Sequence, residues 1–337
     1  MFVVSIDLGY RYVKGVNSRR EKIILPSFVS TGHRRQFNDL FGQSKSGIHL
    51  DHLHVVLHES GEEKQFFVGE LACKSRNPII PFAENKIRHF ATRAMVSTAT
   101  GLLTHGNEGR LHITSGLPLM QFQQLKNEMY HYLKGLDLTV ELVHLDGAKS
   151  IRRVKFDRVT LFPQGAGAVF YVTTAQRNFL DRKNIRVGLV DIGGKTTEAL
   201  MFQVAEGVEV VSEYCDTFDL GTSMVEDRVR EVFYEKTGRR LDDKELHESI
   251  QQRVIYFRGK EYSLQQMLEE AREELALNIQ EELNRLWGKA QDFVYLILWA
   301  GGGAADLYPH LRTQNSLLVK DPQFANAMGN LFVAEAD

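Results

Sequence analysis

Short apolar runs alternate with amphipathic stretches along most of the chain. The first run, from Phe2 to Leu8, predicts a β-strand that Gly9 ends, and residues 186–191 repeat this pattern in the second half of the sequence. In both places Asp, an aliphatic residue and Gly follow in that order, and a second apolar run comes next. The pattern therefore predicts two copies of one unit, a strand, a glycine turn and a second strand.

Apolar residues three or four positions apart predict helices between the strands. This spacing indicates helices over residues 85–103 and 120–134. A longer helix is predicted from Ser263 to Trp287, because Ser263 and Gln266 have the spacing of a capping box. At 1.5 Å per residue this helix would be about 36 Å long.

The length of 337 residues indicates two lobes, because it is long for a single domain. We predict a first lobe of residues 1–168, completed by residues 322–337, and a second lobe of residues 169–321. Two predicted strands around a glycine turn indicate a small β-rich insertion at about residues 32–76. A charged helical stretch indicates an insertion into the second lobe at about residues 225–290.

Composition narrows the class of protein. The formal net charge is −2, which lacks the positive excess of a general nucleic-acid binder, so we expect no direct binding of nucleic acid. The two cysteines, Cys73 and Cys215, make a disulfide framework improbable and favour a reducing cytoplasm. The first residues enter a strand at once, so no signal peptide is expected. No apolar run approaches the ~20 residues that cross a bilayer, and no membrane association is expected.

The stretch "LVDIGGKTTEAL" contains the letters GKT of a phosphate-binding P-loop at Gly194, Lys195 and Thr196. A P-loop also requires a glycine five positions before Gly194, where this chain has Leu189. The stretch instead predicts a β-hairpin in which Gly193 adopts a positive φ. Such a turn can still bind phosphate, because glycines allow close approach and successive backbone N–H groups form an anion-binding concavity.

Four glycine-bearing stretches resemble together the nucleotide pocket of the actin, Hsp70 and sugar-kinase superfamily. They are "DLG" from Asp7, "QGAG" from Gln164, "DIGG" from Asp191 and "GGGA" from Gly301. The first and third resemble the two phosphate hairpins, and "LILWAGGGAADL" resembles the adenosine motif. "FPQGAGAVFY" and "ANAMGNLF" are similar to the two interlobe connections. The resemblance implies a two-lobed α/β fold with duplicated mixed sheets and the nucleotide in the interlobe cleft.

Within this superfamily the chain is most similar to bacterial plasmid-segregation actin-like proteins, the ParM/StbA group. The cues are "FFVGELA", "ITSGLPL", "DIGGKTTEA", "LGTSMVEDRV", "AGGGA" and "FANAMG". This resemblance implies an ATPase that polymerises into filaments and moves plasmid DNA. Its implied partners are further copies of the chain and a DNA-binding adaptor protein on a plasmid centromere. Tyr10, Arg11 and Lys195 depart from the family pattern, and the two basic residues would add positive charge near the γ-phosphate.

The resemblance implies bound ATP or GTP with Mg²⁺. The residues that it places at the nucleotide are Asp7, Gly9, Tyr10, Arg11, Lys14, Gly193, Gly194, Lys195, Thr196, Gly221, Gly301, Gly302 and Gly303. Asp7 and Asp191 offer the hard oxygen atoms that Mg²⁺ prefers, and we expect them to hold it through its waters. Gln164 would align the attacking water, so Gln164, Asp191 and Asp7 are the predicted catalytic residues.

Two other functions remain open for the same fold, a small-molecule kinase and an ATP-dependent scaffold that forms no filaments. A kinase requires a catalytic Asp near the first lobe, and the sequence between Ile79 and Gly116 offers no clear candidate. The chain is also short for a sugar kinase. A polymerising ATPase is therefore favoured.

Overall fold

The computed structural model describes residues 1–33, 47–75, 77–81, 87, 89–175, 184–205 and 207–336. Residues 34–46 of the predicted β-rich insertion lie outside the described residues, as do residues 85, 86 and 88 of one predicted helix. The chain divides into two compact units, one of Met1–Pro163 with Ala327–Asp337 and one of Gln164–Asn326.

The first unit is built on a nine-stranded mixed sheet. Its strands are β1 (Phe2–Leu8), β2 (Tyr12–Asn17), β3 (Lys22–Pro26), β4 (Val29–Thr31), β5 (His54–Glu59), β6 (Glu62–Val68), β7 (Leu111–Leu117), β8 (Asp137–Val143) and β9 (Lys149–Pro163). They lie in the order β3-β2-β1-β7-β9-β8-β5-β6-β4. β1 pairs antiparallel with β2 and parallel with β7, and β7 pairs parallel with β9. β5 and β6 form an antiparallel hairpin, in agreement with the two strands predicted around a glycine turn.

The helices of the first unit are α1 (Glu70–Cys73), α2 (Phe90–Leu103) and α3 (Phe122–Lys134). α2 packs its small and apolar residues, including Ala94, Met95 and Ala99, into the core against the sheet. α3 is amphipathic and buries only Met129 and Leu133. It begins two residues later than predicted, because a 3-10 turn, Leu119–Gln121, precedes it.

The second unit is built on a six-stranded mixed sheet and a separate hairpin. The strands of the sheet are β10 (Ile185–Ile192), β11 (Thr197–Val204), β12 (Val208–Val210), β13 (Asp216–Phe218), β16 (Val294–Ala300) and β17 (Ser316–Leu318). β14 (Val254–Phe257) and β15 (Lys260–Ser263) form the hairpin, which lies within the stretch predicted as a helical insertion. β10 pairs antiparallel with β11 and parallel with β16.

The helices of this unit are α4 (Ala166–Ala175), α5 (Ser223–Thr237), α6 (Asp243–Gln252), α7 (Gln265–Trp287) and α8 (Ala304–Leu307). A last helix, α9 (Ala325–Ala336), begins in the second unit and continues in the first. α7 packs against β10 through Trp287, whose ring lies where a side chain at Gly188 would be, 2.7 Å from an added Cβ. The Trp287 indole N–H donates to the carbonyl of Tyr214 at 3.0 Å.

The capping box predicted at Ser263 is wrong. Ser263 is the last residue of β15 and pairs with Val254, and its hydroxyl accepts from the Gln265 N–H at 3.4 Å, not from the Gln266 N–H that a capping box requires. α7 begins only at Gln265, after Leu264, which makes no side-chain capping bond. The Gln266 amide donates to Glu270 instead, at 2.8 Å.

Both predicted strand–turn–strand units are antiparallel hairpins. In the first, Asp7 of β1 lies opposite Lys14 of β2. In the second, Asp191 of β10 lies opposite Glu198 of β11. Each hairpin has a parallel strand beside its first strand, β7 in one unit and β16 in the other. The predicted duplication of the α/β architecture is therefore confirmed.

Candidate nucleotide-binding site

The hairpin of the first unit holds a buried ion pair. The Lys14 Nζ lies 3.2 Å from the Asp7 Oδ2, and both residues are buried. They face each other because Asp7 and Lys14 are opposite one another in the β1–β2 register. A buried charge is costly unless it is paired, so the pairing holds both side chains at one place beside the turn.

The turn of this hairpin requires glycine at position 9. A Cβ added to Gly9 would lie 2.6 Å from the Tyr12 carbonyl oxygen and 3.1 Å from the Lys14 Nζ. Ser27 holds the turn from its other side, since its hydroxyl donates to the Gly9 carbonyl at 2.7 Å and its N–H donates to the Arg11 carbonyl at 2.9 Å. The Arg11 guanidinium packs on the ring of Tyr10 at 5.2 Å, so two of the three residues that depart from the family pattern contact each other.

The hairpin of the second unit closes through a tight turn of four residues. The Gly193 N–H donates to the Thr196 carbonyl at 2.8 Å, and Gly194 and Lys195 lie between them. A Cβ on Gly193 would lie 2.8 Å from the same carbonyl oxygen. The expected positive φ at Gly193 is wrong, because the residue does not have one. Glycine is needed here for the close approach of two backbone segments, and the left-handed region plays no part.

The start of α5 packs directly on this turn. The N–H groups of Thr222 and Ser223 donate to the carbonyls of Gly193 and Gly194, at 3.1 Å and 2.8 Å. Gly221 lies so close that an added Cβ would be 2.6 Å from the Gly194 carbonyl oxygen. Only a residue without a side chain allows this contact, so the structure brings Gly221 to the predicted phosphate turn.

The triple glycine after β16 packs against the end of β10. Gly301 has a φ of +91°, and an added Cβ would lie 2.2 Å from the Asp191 Oδ1. The Gly303 N–H donates to the Ile192 carbonyl at 2.9 Å. Gly302 lies between them in the same turn. Asp191 is therefore enclosed by backbone on this side, where any larger residue would displace its carboxylate.

Asn326 is a site residue that the sequence reasoning did not select. Its amide N–H donates to the Asp191 Oδ2. Its carbonyl oxygen accepts from the N–H groups of Gly165 and Ala168, both at 3.1 Å. One side chain thus orients a predicted metal ligand and caps the start of α4. Gln164 lies in the turn just before these residues and is half-buried.

Glu198 is a second residue beside Asp191 that is absent from the site predicted from the sequence. It is 3% exposed and lies opposite Asp191 on β11. Burial raises the pKa of the Glu198 carboxyl to about 7, and the negative charges of Asp191 and Asp216 add to this increase. A hydrogen bond from Thr217 acts in the opposite direction and lowers the pKa. The Thr217 hydroxyl donates to the Glu198 Oε2. The sequence signal that could have identified Glu198 is the presence of a glutamate inside the apolar strand β11.

Within each unit the predicted residues come together. In the first unit Asp7, Gly9, Tyr10, Arg11 and Lys14 share one hairpin. In the second unit one cluster around the end of β10 contains Asp191, Gly193, Gly194, Lys195, Thr196, Gly221, Gly301, Gly302 and Gly303. Gly9, Gly193, Gly221, Gly301 and Gly303 let backbone segments pack closely at these turns, and the two carboxylates are oxygen donors of the type that Mg²⁺ prefers. The residues therefore fit a nucleotide with its metal ion, while their binding roles stay predictions.

These paired hairpins on mixed sheets are the architecture of actin-like proteins, and two family models agree. The model for the N-terminal domain of actin like proteins matches residues 5–167. The model for the C-terminal part of the archaeal actin homologue MreB-like matches residues 189–313. A non-polymerisable quadruple mutant of pCBH ParM shares 31% identity, covers 100% of this chain and 99% of its own, and superimposes with a TM-score of 0.88. The chain belongs to the actin-like protein family, as a ParM-type member.

Two further solved structures are similar over their full length. A 15-stranded ParM filament from Clostridium botulinum shares 31% identity, with 100% of this chain and 99% of that chain covered and a TM-score of 0.90. An archaeal actin homologue in complex with ADP shares 22% identity, with 100% of each chain covered and a TM-score of 0.78, which shows the common fold. Among curated protein sequences, none matches this chain. No helix in the described ranges is long and apolar enough to cross a membrane.

Proposed function

We propose that this protein is a cytoplasmic ATPase that polymerises into filaments and segregates plasmid DNA through an adaptor protein on the plasmid centromere. The observation that carries the proposal is the 31% identity, over the full length, to a ParM that was solved as a filament. The nucleotide is ATP or GTP. The proposed assembly partner is a second copy of the chain, and the adaptor makes the contact with DNA.

The phosphates are bound by backbone N–H groups of the two glycine turns in this proposal. Gly9 in the first unit and Gly193 in the second have backbone neighbours so close that no side chain fits. Because glycine has no side chain, a phosphate can approach the backbone of such a turn closely. Lys14, Arg11 and Lys195 add positive charge to the same turns. The glycines at 301–303 give room for adenine and ribose.

Asp7 and Asp191 would hold Mg²⁺, and bound Mg²⁺ supplies positive charge that offsets the charge of the phosphates. The protein's own part is to orient these two carboxylates. Lys14 orients Asp7 by the ion pair at 3.2 Å. Asn326 and Gly301 fix Asp191 by a hydrogen bond and by close packing.

Hydrolysis requires a water that is aligned and that can lose a proton. We assign the alignment to Gln164, since an amide can position water by hydrogen bonds although it is a poor base. Glu198 suits the role of proton acceptor, because its carboxyl has a pKa of about 7 and can change protonation state at neutral pH. Positioning and charge account for most of the catalysis in phosphoryl transfer.

Nucleotide binding and assembly are coupled by differential affinity in this proposal. If ATP binds the assembled state more tightly than it binds the free subunit, and ADP does not, ATP shifts the equilibrium toward filaments and hydrolysis reverses it. Both glycine turns contribute to binding the phosphates, so loss of the γ-phosphate changes the contacts of both.

The test is ultracentrifugal pelleting of the protein with ATP, GTP or ADP and Mg²⁺, with phosphate release measured in the same samples. We expect pelleted protein with a triphosphate, less with ADP, and phosphate release that follows assembly. If the protein binds ATP but never pellets, the filament function is contradicted and an ATP-dependent scaffold that forms no filaments is favoured. Consumption of ATP only after a small-molecule acceptor is added would favour a kinase.

A further inference from the structure

A basic and aromatic surface lies on the second unit, where the β14–β15 hairpin packs on α5. Phe233 of α5 contacts Phe257 and Tyr262 of the hairpin, with ring centroids 5.5 Å and 5.8 Å apart. The ring of Phe257 carries the guanidinium groups of Arg239 and Arg258, at 5.8 Å and 5.0 Å. We call this the basic aromatic surface, and its members are Tyr234, Arg239, Arg240, Tyr256, Arg258 and Lys260.

Most cations of this surface have no acidic partner among the residues that the structure describes. Arg239 pairs with Glu245. Arg240 stacks on Tyr234 at 5.3 Å and Arg258 on Phe257, and neither of them, nor Lys260, forms an ion pair with an acid in the described part of the chain. A guanidinium that stacks by its face keeps the N–H groups along its edge free for carboxylates.

Large exposed aromatic side chains accompany these cations. Tyr256, beside the hairpin tip, is 70% exposed, and Tyr234 is 46% exposed. Tyrosine and arginine are the residue types that dominate the energetics of protein–protein interfaces. Glu245, which pairs with Arg239, and Glu261, which lies across the strands from Tyr256, are acidic neighbours of this surface, and its four cations outnumber them.

An acidic stripe runs along α7 of the same unit. Glu270, Glu274, Leu277 and Glu281 follow at intervals of four, three and four residues, so they share one face of the helix. Leu277 is 45% exposed at the centre of this face. We call these four residues the acidic stripe.

The acidic stripe differs from the neighbouring faces of α7 in its lack of cations. Glu269 pairs with Arg272, Glu273 with Arg312. Across the described ranges, no lysine, arginine or histidine lies within ion-pair distance of the three glutamates of the stripe. Like charges four residues apart destabilise a helix, and an external cationic partner would remove this repulsion.

We propose that the basic aromatic surface of one copy binds the acidic stripe of the next copy and forms a filament contact. This inference rests on the proposed function and names one interface of it. Each patch also carries a large exposed side chain, Tyr256 near the hairpin tip in one and Leu277 in the other. The two patches consist of different residues, so the contact is heterologous, and a heterologous contact whose rotation does not close into a ring generates an open filament.

Charge complementarity favours a second copy over nucleic acid as the occupant. The net charge of the chain is −2, and the acidic stripe lies on the same unit as the basic aromatic surface and would repel phosphates. Every added subunit, by contrast, brings one complementary stripe for each basic surface.

The test uses two variants with reversed charges. In the first, Arg258→Glu and Lys260→Glu reverse the basic aromatic surface, and in the second, Glu270→Lys and Glu274→Lys reverse the acidic stripe. Like charges that meet at an interface repel each other and weaken the contact between copies. Each variant alone should therefore raise the critical concentration for pelleting at least about tenfold. An equimolar mixture should pellet again, because each variant then offers the charge that the other requires. Lys289→Glu and Glu213→Lys, two exposed charges elsewhere on this unit, are the matched controls and should pellet like the unmodified chain.

The outcomes separate this interface from the function itself. Normal pelleting of either reversed variant, or failure of the mixture although both variants melt at the normal temperature, overturns the interface and leaves the filament function intact. If the unmodified chain never pellets, the proposed function and the interface fall together. If the Arg258→Glu, Lys260→Glu variant pellets normally but loses binding of a fluorescent single-stranded oligonucleotide that the unmodified chain retains, the surface binds nucleic acid and the self-contact is wrong.

Discussion

At the scale of single residues, Glu198 gives the protein a specific pH dependence. Its folded pKa of about 7 lies above the ordinary value of 4.5, so the folded state holds a proton that the unfolded state releases. The contribution of this proton to the free energy of unfolding is complete below pH 4.5 and is lost as the pH rises through 7.

We predict that Glu198→Gln, which cannot ionise, becomes more stable relative to the unmodified chain as the pH rises from 4.5 to 7. The difference in the free energy of unfolding should grow by on the order of 1–3 kcal/mol over this range. Urea unfolding at pH 5 and pH 8 measures it. Glu209→Gln on the exposed strand β12 is the control and should show no such trend. A constant difference between Glu198→Gln and the unmodified chain would mean that Glu198 is ionised in the folded state throughout.

Asn326 is predicted to stabilise the site through Asp191. Asn326→Ala leaves one carboxylate oxygen without its donor and two N–H groups without their acceptor, which should cost about 1–3 kcal/mol of stability. Asn326→Asp keeps an acceptor for Gly165 and Ala168 but places a second carboxylate beside Asp191. Asn326→Asp should therefore weaken Mg²⁺-dependent nucleotide binding. The size of this effect should differ from the size of its effect on stability. Unfolding curves and nucleotide titrations at several Mg²⁺ concentrations separate the two effects, and wild-type values of both in Asn326→Ala would refute the role.

At the scale of elements, two backbone segments approach each other closely at the turn of each hairpin, so the turn has no room for a side chain. Gly193→Val should abolish ATP binding, since the new Cβ would lie 2.8 Å from the Thr196 carbonyl oxygen and would force the turn open. Gly207→Val in the same unit is the matched control, because no described atom beyond its chain neighbours lies within 4 Å of its added Cβ. Fluorescence titration with a labelled ATP analogue compares them. Equal affinity of the two variants would show that the β10–β11 turn does not bind phosphate.

At the scale of the whole molecule, hydrolysis should limit the lifetime of filaments. Gln164→Ala should slow phosphate release by roughly 10²-fold or more, on the scale of a lost water-positioning group, and leave ATP binding intact. Its filaments should form and persist. Light scattering recorded beside phosphate release tests this, with Gln314→Ala, an exposed glutamine, as the control. Normal phosphate release in Gln164→Ala would exclude Gln164 as the residue that aligns water.

The sequence by itself determined the hairpins, because their signals are local. An apolar strand, an Asp and a glycine turn specify each of them within about a dozen residues. The order of these turns along the chain also carried the resemblance to actin-like proteins. The start of α7 shows where local signals fail, since the capping spacing at Ser263 is overridden by its pairing with Val254 in a hairpin that periodicity did not reveal.

Only the tertiary structure decided which polar residues surround Asp191. Asn326 lies 135 positions away from it along the chain, and no local pattern connects the two. Glu198 is near in sequence, but its raised pKa comes from burial and from the charges around it, which depend on packing of the whole second unit. Hydrophobic periodicity specifies which face of an element is buried, whereas the partner of a buried polar group is fixed only when distant elements meet.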